Sequence, residues 1–101
     1  MLNRDEVLKL LAENMDRLEE FGVKKIGIFG SFARDEAEMK SDVDVVVEFK
    51  RGRGGLRDFI GLVDFLEGLL KREVEILTPA GIETIRIKSV RERIKREVLY
   101  V

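Results

Sequence analysis

The chain has 101 residues, 45% of them apolar and 39% charged, with a net charge of −1. That length fits a single domain over residues 1–101 with an adequate core. The near-cancelling charges give no global pull toward nucleic acid or an anionic membrane surface.

Cysteine and histidine are both absent, which excludes disulfides, thiolate sites, the usual zinc ligand and the usual general base. Any metal must therefore be held by oxygen, which points to Mg2+ or Mn2+. Glutamine is absent while Glu, Lys and Arg are abundant, a profile of proteins from hot environments. No apolar run approaches the ~20 residues of a membrane span. The charged start, Met1-Leu2-Asn3-Arg4-Asp5-Glu6, does not read as a secretory signal. The expected location is the cytoplasm, with no membrane partner.

The first segment reads as one helix. Asn3 caps it with Glu6 three residues on, and Val7, Leu8, Leu10, Leu11, Met15 and Leu18 form its apolar face. Gly22 is a natural stop. Lys24 to Phe29 predicts a short strand, broken by Gly30-Ser31, with a helical turn over Phe32 to Glu38. Val43 to Phe49 is the clearest strand, dense in β-branched residues. Lys50 to Gly55 is a basic, glycine-rich loop. Leu56 to Leu70 predicts a second long helix, whose apolar residues, Leu56, Phe59 and Ile60 among them, are assigned to the core. Glu73 to Leu77 is a third strand, and Thr78 to Gly81 a turn. A last helix runs from Ile82 to Val98, with Thr78 or Thr84 as cap and Ile87, Val90, Ile94 and Val98 as its stripe. The chain ends on an apolar tetrapeptide, Val98-Leu99-Tyr100-Val101, suited to the core or to an interface. The fold class is α/β (α+β), a small mixed β-sheet flanked by helices.

The chemistry centres on Ser41-Asp42-Val43-Asp44. Aspartate is depleted in strands, so two of them opening a strong strand form a local conflict of the kind found at functional sites. Strand residues i and i+2 share a face, which lets both carboxylates converge on one divalent cation. The bland alternative is a pair of solvated strand-entry residues. Upstream, with ten residues between Ser31 and Asp42, lies Gly30-Ser31. A glycine directly after a strand lets backbone approach a ligand closely, and the N–H groups that follow suit phosphate. Alone it is also a simple strand-ending turn. Together the two segments supply an anion cradle and a carboxylate pair, the two parts that a metal-chelated triphosphate needs.

Gly30-Ser31-Phe32-Ala33-Arg34 followed by Ser41-Asp42-Val43-Asp44 resembles the G-S-x-A-R and S-D-x-D signature of the DNA polymerase β-like nucleotidyltransferases. The short chain, and the ending Arg96-Glu97-Val98-Leu99-Tyr100-Val101, resemble the minimal nucleotidyltransferases, the MntA-type antitoxins paired with HEPN-domain toxins. The resemblance implies a third carboxylate on a neighbouring strand. Glu75, in Val74-Glu75-Ile76-Leu77, takes the place of the family's aspartate, and Glu73 is its rival on the same face. It implies two divalent ions held by Asp42, Asp44 and Glu75, with Glu75 helping to deprotonate the acceptor. It also implies ATP as substrate, bound by Gly30 and Ser31, with Arg34 and Ser41 as further nucleotide contacts. Arg34 reads equally as a surface ion pair.

The implied activity is AMP transfer from ATP to a hydroxyl, a tyrosine, of a HEPN ribonuclease toxin. Two alternatives stand beside it: a weakly active or inactive module that neutralises the toxin by binding alone, and nucleotide transfer to RNA or a small molecule. A chain this short leaves little room to hold an acceptor, so a partner protein or a second subunit of a homo-oligomer is expected to present it. The basic loop at 50–55 and the basic residues of the last helix read as solvated surface more readily than as a face for nucleic acid.

Overall fold

The computed structural model describes residues 2–101; Met1, the first residue of the charged start, lies outside them. Six helices and four strands follow in the order α1 (Arg4–Glu13), α2 (Met15–Glu20), β1 (Val23–Phe29), α3 (Gly30–Ala33), β2 (Val43–Phe49), α4 (Leu56–Leu70), β3 (Val74–Leu77), α5 (Pro79–Glu83), α6 (Lys88–Glu97) and β4 (Leu99–Tyr100). The strands form one sheet in the order β3-β2-β1-β4. β1 runs antiparallel to β2 and to β4, and β2 runs parallel to β3, the two being joined through α4. The expected mixed sheet flanked by helices is the observed architecture. Among the described residues no helix is long and apolar enough to cross a membrane.

Strand alternation sorts the side chains into two layers. Val43, Val45 and Val47 of β2 join Ile26 and Ile28 of β1 on one face, packed with Val7 and Leu11 of α1, Leu18 of α2 and Leu62, Leu66 and Leu70 of α4. On the other face Val46 and Phe29 pack with Ile82 of α5 and Ile94 of α6. Asp44 and Glu75, out of phase with the larger cluster, lie on this second, thinner-covered face.

The elements depart from the sequence expectations in five places. The helical turn expected over Phe32 to Glu38 is instead the single turn Gly30–Ala33. The first helix breaks at Asn14, whose side-chain amide donates to the Leu10 carbonyl at 2.8 Å; asparagine competes with the backbone for its hydrogen bonds. The final helix is two. Thr78 caps α5 by accepting from the Gly81 N–H, with Pro79 in the first turn, where proline is favoured. Thr84 then bonds back to the Gly81 carbonyl at 2.6 Å, and Arg91 reaches the Ile85 carbonyl at 2.9 Å. Ile87 is the cap residue of α6 and is 63% exposed, while Ile85 packs in its stead. On α4 the inward face is Leu62-Leu66-Leu70, one residue per turn, which leaves Leu56, Phe59 and Ile60 exposed. The apolar tail is an edge strand, with Tyr100 opposite Gly27 and Leu99 opposite Ile28. Only glycine fits at position 27: a Cβ there would lie 2.8 Å from the Leu99 carbonyl oxygen and 3.0 Å from Val98 Cγ1.

The basic loop is tied into the fold. Arg53 grips Asp58 through two bonds of 2.8 and 2.7 Å and also donates to the Glu20 carbonyl. Asp58 accepts from the Gly54 N–H as well, and these bonds, Arg53 first, hold its carboxyl at about 2. An Asp58→Asn variant is expected to melt below the parent at neutral pH. Because the unfolded carboxyl titrates near 3.9, the advantage of the parent is lost as pH falls from about 4 toward about 2. Melting curves of both proteins across that range check this.

Candidate active site

β1 delivers the chain into a sharp bend at Gly30. Its φ is +72°, a conformation that L side chains rarely adopt, and a Cβ built there would collide with the Asp44 carboxylate. Phe29 pairs with Asp44 across the β1–β2 ladder, so the bend and the carboxylate are neighbours by register. The next residues form the single turn of α3, whose first N–H groups have no acceptor within the helix. Ser31 is the second residue of that turn.

Parallel pairing of β2 with β3 places Asp44 beside Glu75. Asp42 precedes the strand and is exposed. The carboxyl of Asp44 is pushed up to about 6, first by burial, then by the negative charges of Glu75 and Asp42, with Arg34 opposing. Glu75 and Asp42 are thus both near enough to act on Asp44. Among the described residues, however, no three acidic side chains draw close enough to enclose a cation. Like charges repel, and a cation between them removes that repulsion. The donor set is oxygen alone, which fits Mg2+ or Mn2+. Glu73, the rival to Glu75, lies just outside β3 and uses its carbonyl to accept from the Val43 N–H at 2.9 Å.

The other two residues singled out from sequence are engaged within the protein. The Ser41 hydroxyl oxygen accepts from the Glu38 N–H at 2.8 Å, closing the turn that leads into Asp42. Arg34 donates to Glu36 at 3.2 Å and to Glu97 at 3.0 and 3.3 Å, the ion-pair reading of that residue.

Two residues to which the sequence alone gives no site role also shape the site. Arg72 donates to the Glu38 and Ser41 carbonyls at 3.0 and 2.9 Å and lies over the Phe32 ring, pinning the loop before Asp42. Nothing in its sequence context marks it. Glu97 accepts from the Gly30 N–H at 3.1 Å. It did carry a signal, since an acid in the last turn of a helix opposes the helix dipole.

The Gly30 bend thus faces Asp44 of β2, with Asp42 just ahead of that strand. The model of the nucleotidyltransferase domain family matches residues 8–101, and the chain belongs to that family. It is 36% identical over 102 residues to the protein adenylyltransferase MntA of Thermococcus cleftensis, across 100% of this chain and 98% of the relative. A Methanocaldococcus jannaschii chain, provisionally described as a protein adenylyltransferase, is 39% identical over 84 residues, covering 83% of this chain and 85% of its own. Among solved structures, one provisionally described as a minimal nucleotidyltransferase superposes with a TM-score of 0.74 at 30% identity, over 97% of this chain and 95% of that one. A chain from a toxin–antitoxin crystal structure with AMP-PNP shares the fold, with a TM-score of 0.60 at 18% identity, covering 98% and 72%.

Two outcomes test the geometry. Gly30→Ala is expected to cost at least ~1 kcal/mol of stability from the left-handed backbone alone, read by urea unfolding, with a further loss from the collision with Asp44. In cation-free buffer Asp44 holds its proton to about 6 in the folded protein but only to about 3.9 when unfolded. The folded state therefore binds more protons in that window, and stability falls as pH rises through it. Asp44→Asn is expected to flatten that fall, measured by unfolding titrations between about pH 4 and about pH 7.

Proposed function

We propose that this chain is a cytoplasmic, single-domain protein adenylyltransferase (residues 1–101) and an antitoxin, which transfers AMP from ATP to a tyrosine hydroxyl of a partner HEPN ribonuclease toxin. The observation that carries the reading is the contact of the Gly30 bend with Asp44. It supports a reading in which the triphosphate lies beside its cation. The likeness to the MntA adenylyltransferase over the whole chain supports the choice of acceptor class.

In this reading Gly30 shapes the turn, its own N–H held by Glu97, and the β- and γ-phosphates meet the backbone N–H and hydroxyl of Ser31. Asp42, Asp44 and Glu75 would hold Mg2+ or Mn2+, which when bound neutralises triphosphate charge and polarises the attacking oxygen. The acceptor oxygen bonds to the α-phosphorus as the bond to pyrophosphate breaks. The hydroxyl proton passes to a carboxylate, Glu75, since histidine is absent. Arg34 adds positive charge beside the phosphates; its guanidinium has more donors than the bonds to Glu36 and Glu97 use. Ser41 acts through the turn that carries Asp42.

A second reading has one observation in its favour. The third carboxylate, Glu75, is a glutamate where the family has an aspartate. A module that neutralises its toxin by binding alone fits that as well. Intact-mass measurement of the partner after incubation with ATP and Mg2+ separates the two. Transfer predicts a mass gain of one or more AMP groups, abolished by Asp42→Ala with Asp44→Ala. An unmodified toxin that is nevertheless silenced by the double variant supports the binding module.

A further inference from the structure

The last residue of α6, just ahead of β4, brings a charged group to the site from the far end of the chain. Tyr100 lies opposite Gly27 and Leu99 opposite Ile28. Continuing that antiparallel register by two residues sets Glu97 opposite Gly30. There the Glu97 carboxylate, only 12% exposed, accepts from the Gly30 N–H at 3.1 Å and from Arg34 Nη1 at 3.0 and 3.3 Å. A carboxylate at the end of a helix is opposed by the dipole, and these charge-assisted bonds offset that cost. The segment that carries it is firmly seated. The Val101 N–H donates to the Ile26 carbonyl at 3.0 Å, the Lys25 ammonium sits 4.0 Å over the Tyr100 ring, and Gly27 leaves no gap beneath the tail.

We propose that Glu97 is a positioning residue for nucleotide binding. It fixes the Gly30 bend and aims Arg34, so that turn and guanidinium meet the triphosphate already arranged. The inference rests on the nucleotidyltransferase reading of the site. Preorganised donors spend less binding energy on ordering themselves. The rival role for the same contacts is a stand-in anion that must leave before phosphate enters; a carboxylate at the end of α6, directly ahead of a strand paired into the sheet, favours the strut over the plug.

The two roles predict opposite signs. Binding of the Mg2+ complex of a non-hydrolysable ATP analogue is measured by calorimetry for the full chain and for Glu97→Gln, Arg34→Ala and the double variant, with melting curves to confirm folding. Glutamine keeps an acceptor for the Gly30 N–H but loses the charge on Arg34. Glu97→Gln is expected to weaken binding on the order of tenfold. In the Arg34→Ala background the same change is expected to matter by less than about twofold, because the two residues act as one unit. Glu97→Asp, which keeps the charge, is expected to lose less than Glu97→Gln. Unchanged or tighter binding by Glu97→Gln overturns the proposal, and so does an equal loss with and without Arg34. A parent chain that binds no Mg2+–nucleotide overturns the functional reading itself, a different and separable failure.

Discussion

At the end of β1 the backbone turns with a positive φ at Gly30, and the volume a side chain would fill there is taken by the Asp44 carboxylate. The rest of the site depends on that close approach. It needs β1 and β2 paired in the register that sets Phe29 against Asp44. It needs a residue without a Cβ. It also brings a negatively charged group next to the N–H groups of a tight turn, where a chelated phosphate would lie. The valine-rich face of β2, packed under α1, α2 and α4, holds this register. Slipping β2 by one residue would send Asp44 into the apolar layer and Val45 to the site.

Electrostatics explains why the acids are gathered but not clasped. Burial and the charges of Glu75 and Asp42 lift Asp44 well above the usual carboxylate range. Such a group is at odds with its surroundings until positive charge arrives. Glu97, by contrast, has its charge met by Arg34 and the Gly30 N–H. The site is therefore a balance of charges, drawn from β2, β3, α3 and the last residue of α6, rather than the work of one motif. Loops that look adaptable in sequence are held for the same purpose: Arg72 secures the turn before Asp42 from the other side of the chain.

Much of this was legible in the sequence because it is written in local pattern. The β-branched run at 43–49, the G-S turn and the spacing to Asp42 and Asp44 each reflect neighbours in the chain. The sheet's core strands and the long helix at 56–70 follow from periodicity. What was not legible depends on tertiary partners. Asn14 and Thr84 break helices through hydrogen bonds whose choice over the backbone ladder is not fixed by propensity. The apolar tail pairs with β1 because Gly27 leaves room for it. Arg72 and Glu97 each meet their partners across more than thirty positions of chain, and no spacing rule reaches so far. Apolar content alone put Leu56 and Ile60 in the core, whereas α4 has room to bury only one side.

The central claim is that one cation site and one phosphate turn lie together where β1, β2 and β3 meet. Paramagnetic broadening tests it most directly. With Mn2+ and a non-hydrolysable ATP analogue added at substoichiometric levels, the amide signals of Gly30, Ser31, Asp42, Asp44 and Glu75 are expected to vanish first. Those of Leu62 and Leu66, on the other face of the sheet, are expected to persist, and Asp44→Asn should erase the effect. Broadening centred on the 50–55 loop or on α4, with the Gly30 and Asp44 signals untouched, would contradict the account.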